Sequence, residues 1–137
     1  MNPIVFLKNV NISQNNTSIL TNINLTIQKG EFIYFIGKTG VGKSSLLRIL
    51  YGDIIVKEGE ARILDTNLNK IKDKEIPFLR RKLGVVFQDF KLLPNKTIKK
   101  NLEFVLRATE WKDSEKINSR IKEVLEKVKL EYVIDKY

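Results

Sequence analysis

Hydrophobic positions along the chain change period several times, and each change marks an element. Val5-Phe6-Leu7-Lys8-Asn9-Val10 reads as a first strand, and the polar Ile12-Ser13-Gln14-Asn15-Asn16-Thr17 as a turn. Ile23-Asn24-Leu25-Thr26-Ile27 alternates with period two, as a half-exposed antiparallel strand does. After Lys29-Gly30 comes Glu31-Phe32-Ile33-Tyr34-Phe35-Ile36, an aromatic and β-branched run with the pattern of a buried strand. Ser45 to Tyr51 is apolar nearly all round and predicts a buried helix closed by Gly52. Glu58-Gly59-Glu60 predicts a turn before a short strand, Ala61-Arg62-Ile63-Leu64. Pro77 suits the first turn of a short helix over 76–82, and Leu83-Gly84-Val85-Val86-Phe87 reads as a buried strand ending at Gln88. Thr97 can cap a helix with Ile98, Leu102, Val105 and Leu106 on one face. Asp113 or Ser114 can cap a last helix carrying Ile117, Ile121, Val124, Leu125 and Val128 on one stripe.

Between the third predicted strand and the first helix lies Gly37-Lys38-Thr39-Gly40-Val41-Gly42-Lys43-Ser44, the pattern G-x-x-x-x-G-K-[ST] of a phosphate-binding loop. Strand, glycine loop, helix is the setting in which this pattern works, and it predicts an α/β fold of the P-loop NTPase kind. Glycines let the backbone curl so that its N–H groups point at phosphates, and the helix N-terminus adds positive dipole. Lys43 supplies an ammonium to the β- and γ-phosphates, the Ser44 hydroxyl is a hard oxygen ligand for Mg²⁺, and Ser45 reaches the α-phosphate. The expected cofactors are ATP and Mg²⁺.

Composition narrows the classes. The chain has 137 residues, 42% of them hydrophobic and 30% charged, which fits one folded domain or a piece of one. No apolar run approaches the ~20 residues of a membrane helix, and the start lacks a charged leader with a cleavage site. Cysteine and histidine are both absent, which excludes a disulfide framework, thiol chemistry, histidine metal ligands and Ser-His-Asp catalysis. The default expectation is a cytoplasmic protein. Net charge is +9, but lysines and arginines are interleaved with acids, as in Lys70-Ile71-Lys72-Asp73-Lys74-Glu75, and read as a solvated surface. No RNP-like motif and no one-sided basic helix supports nucleic-acid binding, so that partner is not expected.

Gln88 closes a buried strand and leads into Asp89-Phe90-Lys91-Leu92-Leu93-Pro94-Asn95. With the phosphate loop, the intervening antiparallel segment and the amphipathic helix that follows, this order resembles the ATP-binding subunits of ABC transporters. The stretches 76–90 and 104–112 look most like the cell-division branch of that family, the FtsE type; lipoprotein-release and macrolide-export ATPases are close. The resemblance covers essentially the whole chain. It implies a phosphate loop at 37–45, a Q-loop from Gln88 and a helical subdomain starting at 97–137. Gln88 would then help position water or Mg²⁺, and together with Lys43 it carries the implied catalytic roles. The segment from Gln88 to Asn95 would contact an integral membrane subunit, an FtsX-like permease, from the inner face of the plasma membrane, and the intact protein would pair as a homodimer.

Two departures accompany the resemblance. Where the family places an adenine-stacking aromatic after the first strand, this chain carries Ile12, Ser13 and Gln14. The LSGGQ-type signature, the Walker B aspartate, the catalytic glutamate and the switch histidine have no counterpart; Asp65 and Asp135 lack the following Glu. The expectation is therefore the N-terminal part of a single ABC-type ATP-binding domain. Its sheet would be truncated, and the chain alone would not turn over ATP. A non-hydrolysing nucleotide-binding or interaction module is the rival. A small-molecule kinase would share the loop but not the antiparallel insert or the Gln88 segment.

Overall fold

A computed structural model describes residues 2–14 and 17–137. They fall into two compact units, Met1–Gly84 and Val85–Tyr137. In the first, β1 (Val5–Gln14) pairs antiparallel with β2 (Thr17–Ile27) on one side and β3 (Glu58–Ile63) on the other, and β4 (Thr66–Asn67) extends β3. The order in the sheet is β2-β1-β3-β4.

The buried positions of β1 switch parity, from Val5 and Leu7 to Val10 and Ile12. A strict two-residue repeat would turn the second pair outward. Asn9, at φ 51, absorbs one extra residue as a bulge, and the register with both neighbours shifts there. Asparagine tolerates this left-handed backbone, and neighbouring amides hold it. Asn24 Oδ1 accepts from the Asn9 N–H at 3.0 Å, and Asn11 Oδ1 accepts from the Asn22 N–H at 2.8 Å. Gly59 is required opposite the bulge, because a Cβ there would lie 2.3 Å from the Asn9 carbonyl oxygen.

This keeps one apolar face continuous. Val5, Leu7, Val10 and Ile12 of β1 meet Ala61 and Ile63 of β3. Leu46 and Ile49 of α1 (Lys43–Leu50) and Leu79 of α2 (Ile76–Arg80) close the same cluster. Each fully buried Leu, Ile or Val contributes about 1.5–3 kcal/mol of transfer free energy. α1 is therefore fixed to the sheet by its apolar face and carries the loop before it into a defined place.

Several sequence expectations are corrected. The predicted turn over 12–17 is strand as far as Gln14, because Ile12 is a core residue; Asn15 and Asn16 lie outside the described residues. The predicted turn at Glu58-Gly59-Glu60 is the start of β3, with the glycine facing the bulge. Glu31 to Ile36 is not a strand: it belongs to no ladder among the described residues. Phe35 packs against the core, while Phe32, Tyr34 and Ile36 are 78%, 75% and 92% exposed. Leu83 to Phe87 likewise joins no ladder among the described residues, and Val86 is 93% exposed. A two-sided apolar run states that a segment can be buried on both faces, as parallel strands are; the ladder also needs a neighbouring strand.

In the second unit α3 (Ile98–Ala108) packs on α4 (Ser114–Lys127). Ile117, Ile121 and Leu125 are buried against Ile98, Leu102, Leu106 and Ile134. Val105 lies just off this row and is exposed, as is Val128, which falls beyond the last residue of α4. Thr97 caps α3, accepting from the Lys100 N–H at 3.3 Å. Asp113, rather than Ser114, caps α4, accepting from the N–H groups of Glu115 and Lys116.

Candidate functional site

The phosphate loop is a set of tight turns entering α1. Gly37 and Lys38 arrive without ladder partners, and the Val41 N–H donates to the Lys38 carbonyl at 3.3 Å. Gly40 has φ +83 and Gly42 φ +100. Gly42 is the N-cap of α1 and makes no side-chain cap, and no acidic residue occupies the first turn. The helix therefore presents its positive end to the loop uncompensated. Among the described residues the backbone N–H groups of Lys43, Ser44 and Ser45 find no acceptor.

Lys43 folds back across the loop. Its Nζ donates to the Gly37 and Lys38 carbonyls, each at 2.8 Å. The ammonium, the first-turn amides and the glycine turns thus converge on one small surface. Lys38, Thr39, Gly40, Val41 and Ser44 are exposed there, and Gly42, Lys43 and Ser45 are half-buried. The donor set fits a polyphosphate. For Mg²⁺ the side chains of the loop offer only hydroxyl oxygens, those of Thr39, Ser44 and Ser45, and no group of three or more carboxylates, histidines or cysteines is placed for a metal among the described residues.

The support behind the loop was not evident in the sequence. A Cβ on Gly42 would meet Leu20 Cγ at 2.8 Å and Ile19 Cγ2 at 2.9 Å, so β2 leans directly on the loop. The available signal was the apolar doublet Ile19-Leu20, which breaks alternation where the register with β1 slips. The far end of α1 is held by ions. Arg48 Nε donates to Asp53 at 2.6 Å, Arg80 lies 3.8 Å from the same carboxylate, and Arg80 Nε donates to the Tyr51 carbonyl at 3.0 Å. The hydrogen bond to Asp53 raises the Arg48 pKa above its ordinary value.

Gln88 lies in the second unit, exposed, at the start of a turn over 88–91. Phe90 and Lys91 take positive φ of 54° and 51°. Lys91 Nζ sits 2.6 Å from the Asp89 carboxylate, and its hydrogen bond holds that carboxyl below the usual range. Phe90 and Leu92 are 72% and 65% exposed. Asn101 anchors the segment to α3: its side chain accepts from the Leu93 N–H at 2.7 Å and donates to the carbonyls of Leu93, Lys96 and Thr97. No helix among the described residues is long and apolar enough to cross a membrane.

Comparisons with known proteins agree on the family. A family model described as ABC transporter matches residues 20–137. The cell division ATP-binding protein FtsE of Streptococcus pneumoniae serotype 2 (strain D39 / NCTC 7466) is 39% identical over 120 residues, 88% of this chain and 52% of that protein. FtsE of Bacillus subtilis (strain 168) is 43% identical over 118 residues, 86% of this chain and 51% of that protein. A solved dimer of the ATP-binding cassette MJ0796, in a post-hydrolysis state with ADP and Pi, superimposes with a TM-score of 0.79 and 32% identity. That match covers 96% of this chain and 60% of the other. The chain thus spans about half the length of the curated relatives it matches. With an α/β fold, a glycine loop entering α1 and these matches, the chain belongs to the ABC transporter family, as an ATP-binding portion with FtsE proteins among its relatives.

Proposed function

We propose that the chain binds the triphosphate of MgATP at residues Gly37 to Ser45 and serves an FtsE-like ABC complex at a membrane. The observation that carries this is the convergence of the Lys43 ammonium and the uncapped N-terminus of α1 on one exposed loop. The loop amides and Lys43 bind and orient the phosphates, and Ser44 contributes an oxygen to the metal. Bound Mg²⁺ supplies neutralisation of phosphate charge. Gln88 is the candidate for placing water near the metal, and the exposed Phe90 and Leu92 are the candidates for touching an FtsX-like membrane subunit from the cytoplasmic side. The intact protein would work as a homodimer and hydrolyse ATP. Among the described residues no group of three or more carboxylates, histidines or cysteines is placed to hold a metal, so residues 1–137 alone are expected not to turn over ATP.

A charge-assisted hydrogen bond contributes about 1.5–3 kcal/mol. Lys43→Ala should weaken binding of a fluorescent ATP analogue by roughly tenfold to a hundredfold. Equal affinity in parent and variant would refute the assignment. Phosphate release by residues 1–137 should not exceed that of Lys43→Ala; turnover well above it would show a catalytic carboxylate within these residues.

A further inference from the structure

The two edges of the sheet β2-β1-β3-β4 are treated differently. On the β3 side Asn69 closes the edge: its Oδ1 accepts from the Ala61 N–H at 2.8 Å, and its Nδ2 donates to the Gly59 carbonyl at 2.9 Å. The Leu68 N–H donates to the Ala61 carbonyl at 2.9 Å, so Ala61 is paired there through both backbone groups. On the other side β2 pairs with β1 alone among the described residues, and its far edge is open. Folded proteins commonly protect such an edge with a lysine, a proline or an inward-pointing charge. Residues 9–28 of this chain contain no charged residue and no proline.

The ladder fixes which backbone groups face the open edge. The Leu64 N–H donates to the Ile4 carbonyl at 2.7 Å, so Ile4 with Leu64, and by alternation Phe6 with Arg62, are the hydrogen-bonded pairs between β1 and β3. Val5 and Leu7 then turn their N–H and C=O groups toward β2, onto their register partners Ile27 and Leu25. In β2 the alternate residues, Asn24 and Thr26, aim their backbone groups away from β1, and both residues are exposed. Ile23, Leu25 and Ile27 pack on the core but stay half-buried, whereas Val5 and Leu7 beside them are buried.

We propose that this edge pairs with its own copy in a second molecule: residues 23–27 of two chains run antiparallel about a two-fold axis at Leu25, and no nucleotide takes part. In that register Asn24 of each chain faces Thr26 of the other. These are the two residues whose backbone groups point outward, so both pairs close as hydrogen-bonded pairs, four bonds in all. Ile23 faces Ile27, and Leu25 faces its own copy, on the core side of the sheet. The stretch Ile23-Asn24-Leu25-Thr26-Ile27 has the same apolar and polar order in both directions. A two-fold contact needs this property, because each strand must be complementary to itself. Lys29, the charge that follows the strand, falls opposite Thr21 and clear of its own copy. Five residues a side, against about 20–30 in a standard interface, make a weak and concentration-dependent pair.

The experiment is analytical ultracentrifugation of the chain without nucleotide, over concentrations from about 5 to about 500 μM. The expected result is a monomer that passes to a dimer with a dissociation constant on the order of 100 μM, and nothing larger, since the pairing uses the open edge of both molecules. A monomer throughout, or assembly that grows past the dimer, would overturn the proposal. Thr26→Pro removes an outward N–H at an edge position, where a strand tolerates proline. It should keep the circular dichroism spectrum and weaken association about tenfold or more, because two of the four bonds are lost. Association equal to the parent's would count against the pairing. A second readout does not depend on that variant folding. The chain has no cysteine, so one introduced thiol reports alone. Leu25→Cys puts it on the two-fold axis, where facing Cα atoms lie about 4.5 Å apart, within reach of a disulfide. Thr21→Cys puts it about 27 Å from its copy. Under mild oxidation Leu25→Cys should yield disulfide dimer faster than Thr21→Cys, although Thr21 is the more exposed of the two. Equal or slower crosslinking at Leu25 would overturn the register.

Discussion

Substituting Gly42 by Ala tests whether β2 supports the phosphate loop. Two costs arise there. An L-residue at φ +100 occupies left-handed backbone, which costs about 1–2 kcal/mol. The added methyl would also sit 2.8 Å from Leu20 Cγ and 2.9 Å from Ile19 Cγ2, inside any ordinary carbon contact. Overpacking of this kind costs about 1–3 kcal/mol. Together they give about 2–5 kcal/mol, a large share of the ~5–15 kcal/mol that holds a domain folded. Gly40 is the internal control: its φ is +83, but nothing lies within 4 Å of its Cβ position, so Gly40→Ala carries only the backbone cost. Urea unfolding followed by circular dichroism reads both. With slopes of about 1–3 kcal/mol per molar, Gly42→Ala should lower the midpoint by about 1–2 M and Gly40→Ala by clearly less. In a double-mutant cycle, adding Leu20→Ala to Gly42→Ala should cost less than the two singles summed, because the truncated leucine vacates the clash. Equal midpoints for the two glycine variants, or an additive cycle, would refute the contact.

Asn101→Ala should cost about 1–3 kcal/mol, because the Leu93 N–H and the Lys96 carbonyl lose their side-chain partner while the Leu93 and Thr97 carbonyls keep backbone donors, and hydrogen exchange at Leu93 should quicken while the middle of α3 stays protected. Unchanged exchange at Leu93 would refute that role. Glu123 bridges Lys127 at 2.6 Å and Arg120 at 2.7 Å, and those hydrogen bonds pull its pKa from 4.5 to about 2. Because the folded value is the lower one, the contribution is complete above about 4.5 and disappears as pH falls through about 2. Glu123→Gln should therefore lower the urea midpoint at pH 7 and match the parent near pH 2, whereas a pH-independent difference would refute the ion pairs.

Local rules read part of this molecule and miss the rest for identifiable reasons. The loop at 37–45 and the helix after it are legible because glycine spacing and an apolar face are properties of one short segment. Thr97 and Asp113 are legible as caps on the same ground. Glu31–Ile36 and Leu83–Phe87 have the composition of strands but no ladder, because composition cannot supply a neighbour. The bulge at Asn9 depends on Asn11, Asn22 and Asn24 and on Gly59 across the sheet, partners that sequence spacing does not display. Leu20 and Gly42 meet only after the sheet forms, so the support of the loop was invisible even though the loop itself was plain.

The division of the chain at Gly84 has a consequence for how the protein is made. The hairpin, the phosphate loop and α1 all belong to the first unit, so every group proposed to touch a triphosphate has been synthesised before Val85. At about 5–20 residues per second, the second unit takes several seconds more to emerge. During that interval a nucleotide that binds the nascent first unit stabilises it by mass action, in proportion to the logarithm of its concentration over its dissociation constant. The ligand can thus act as a cofactor of folding for the first unit before the second unit exists.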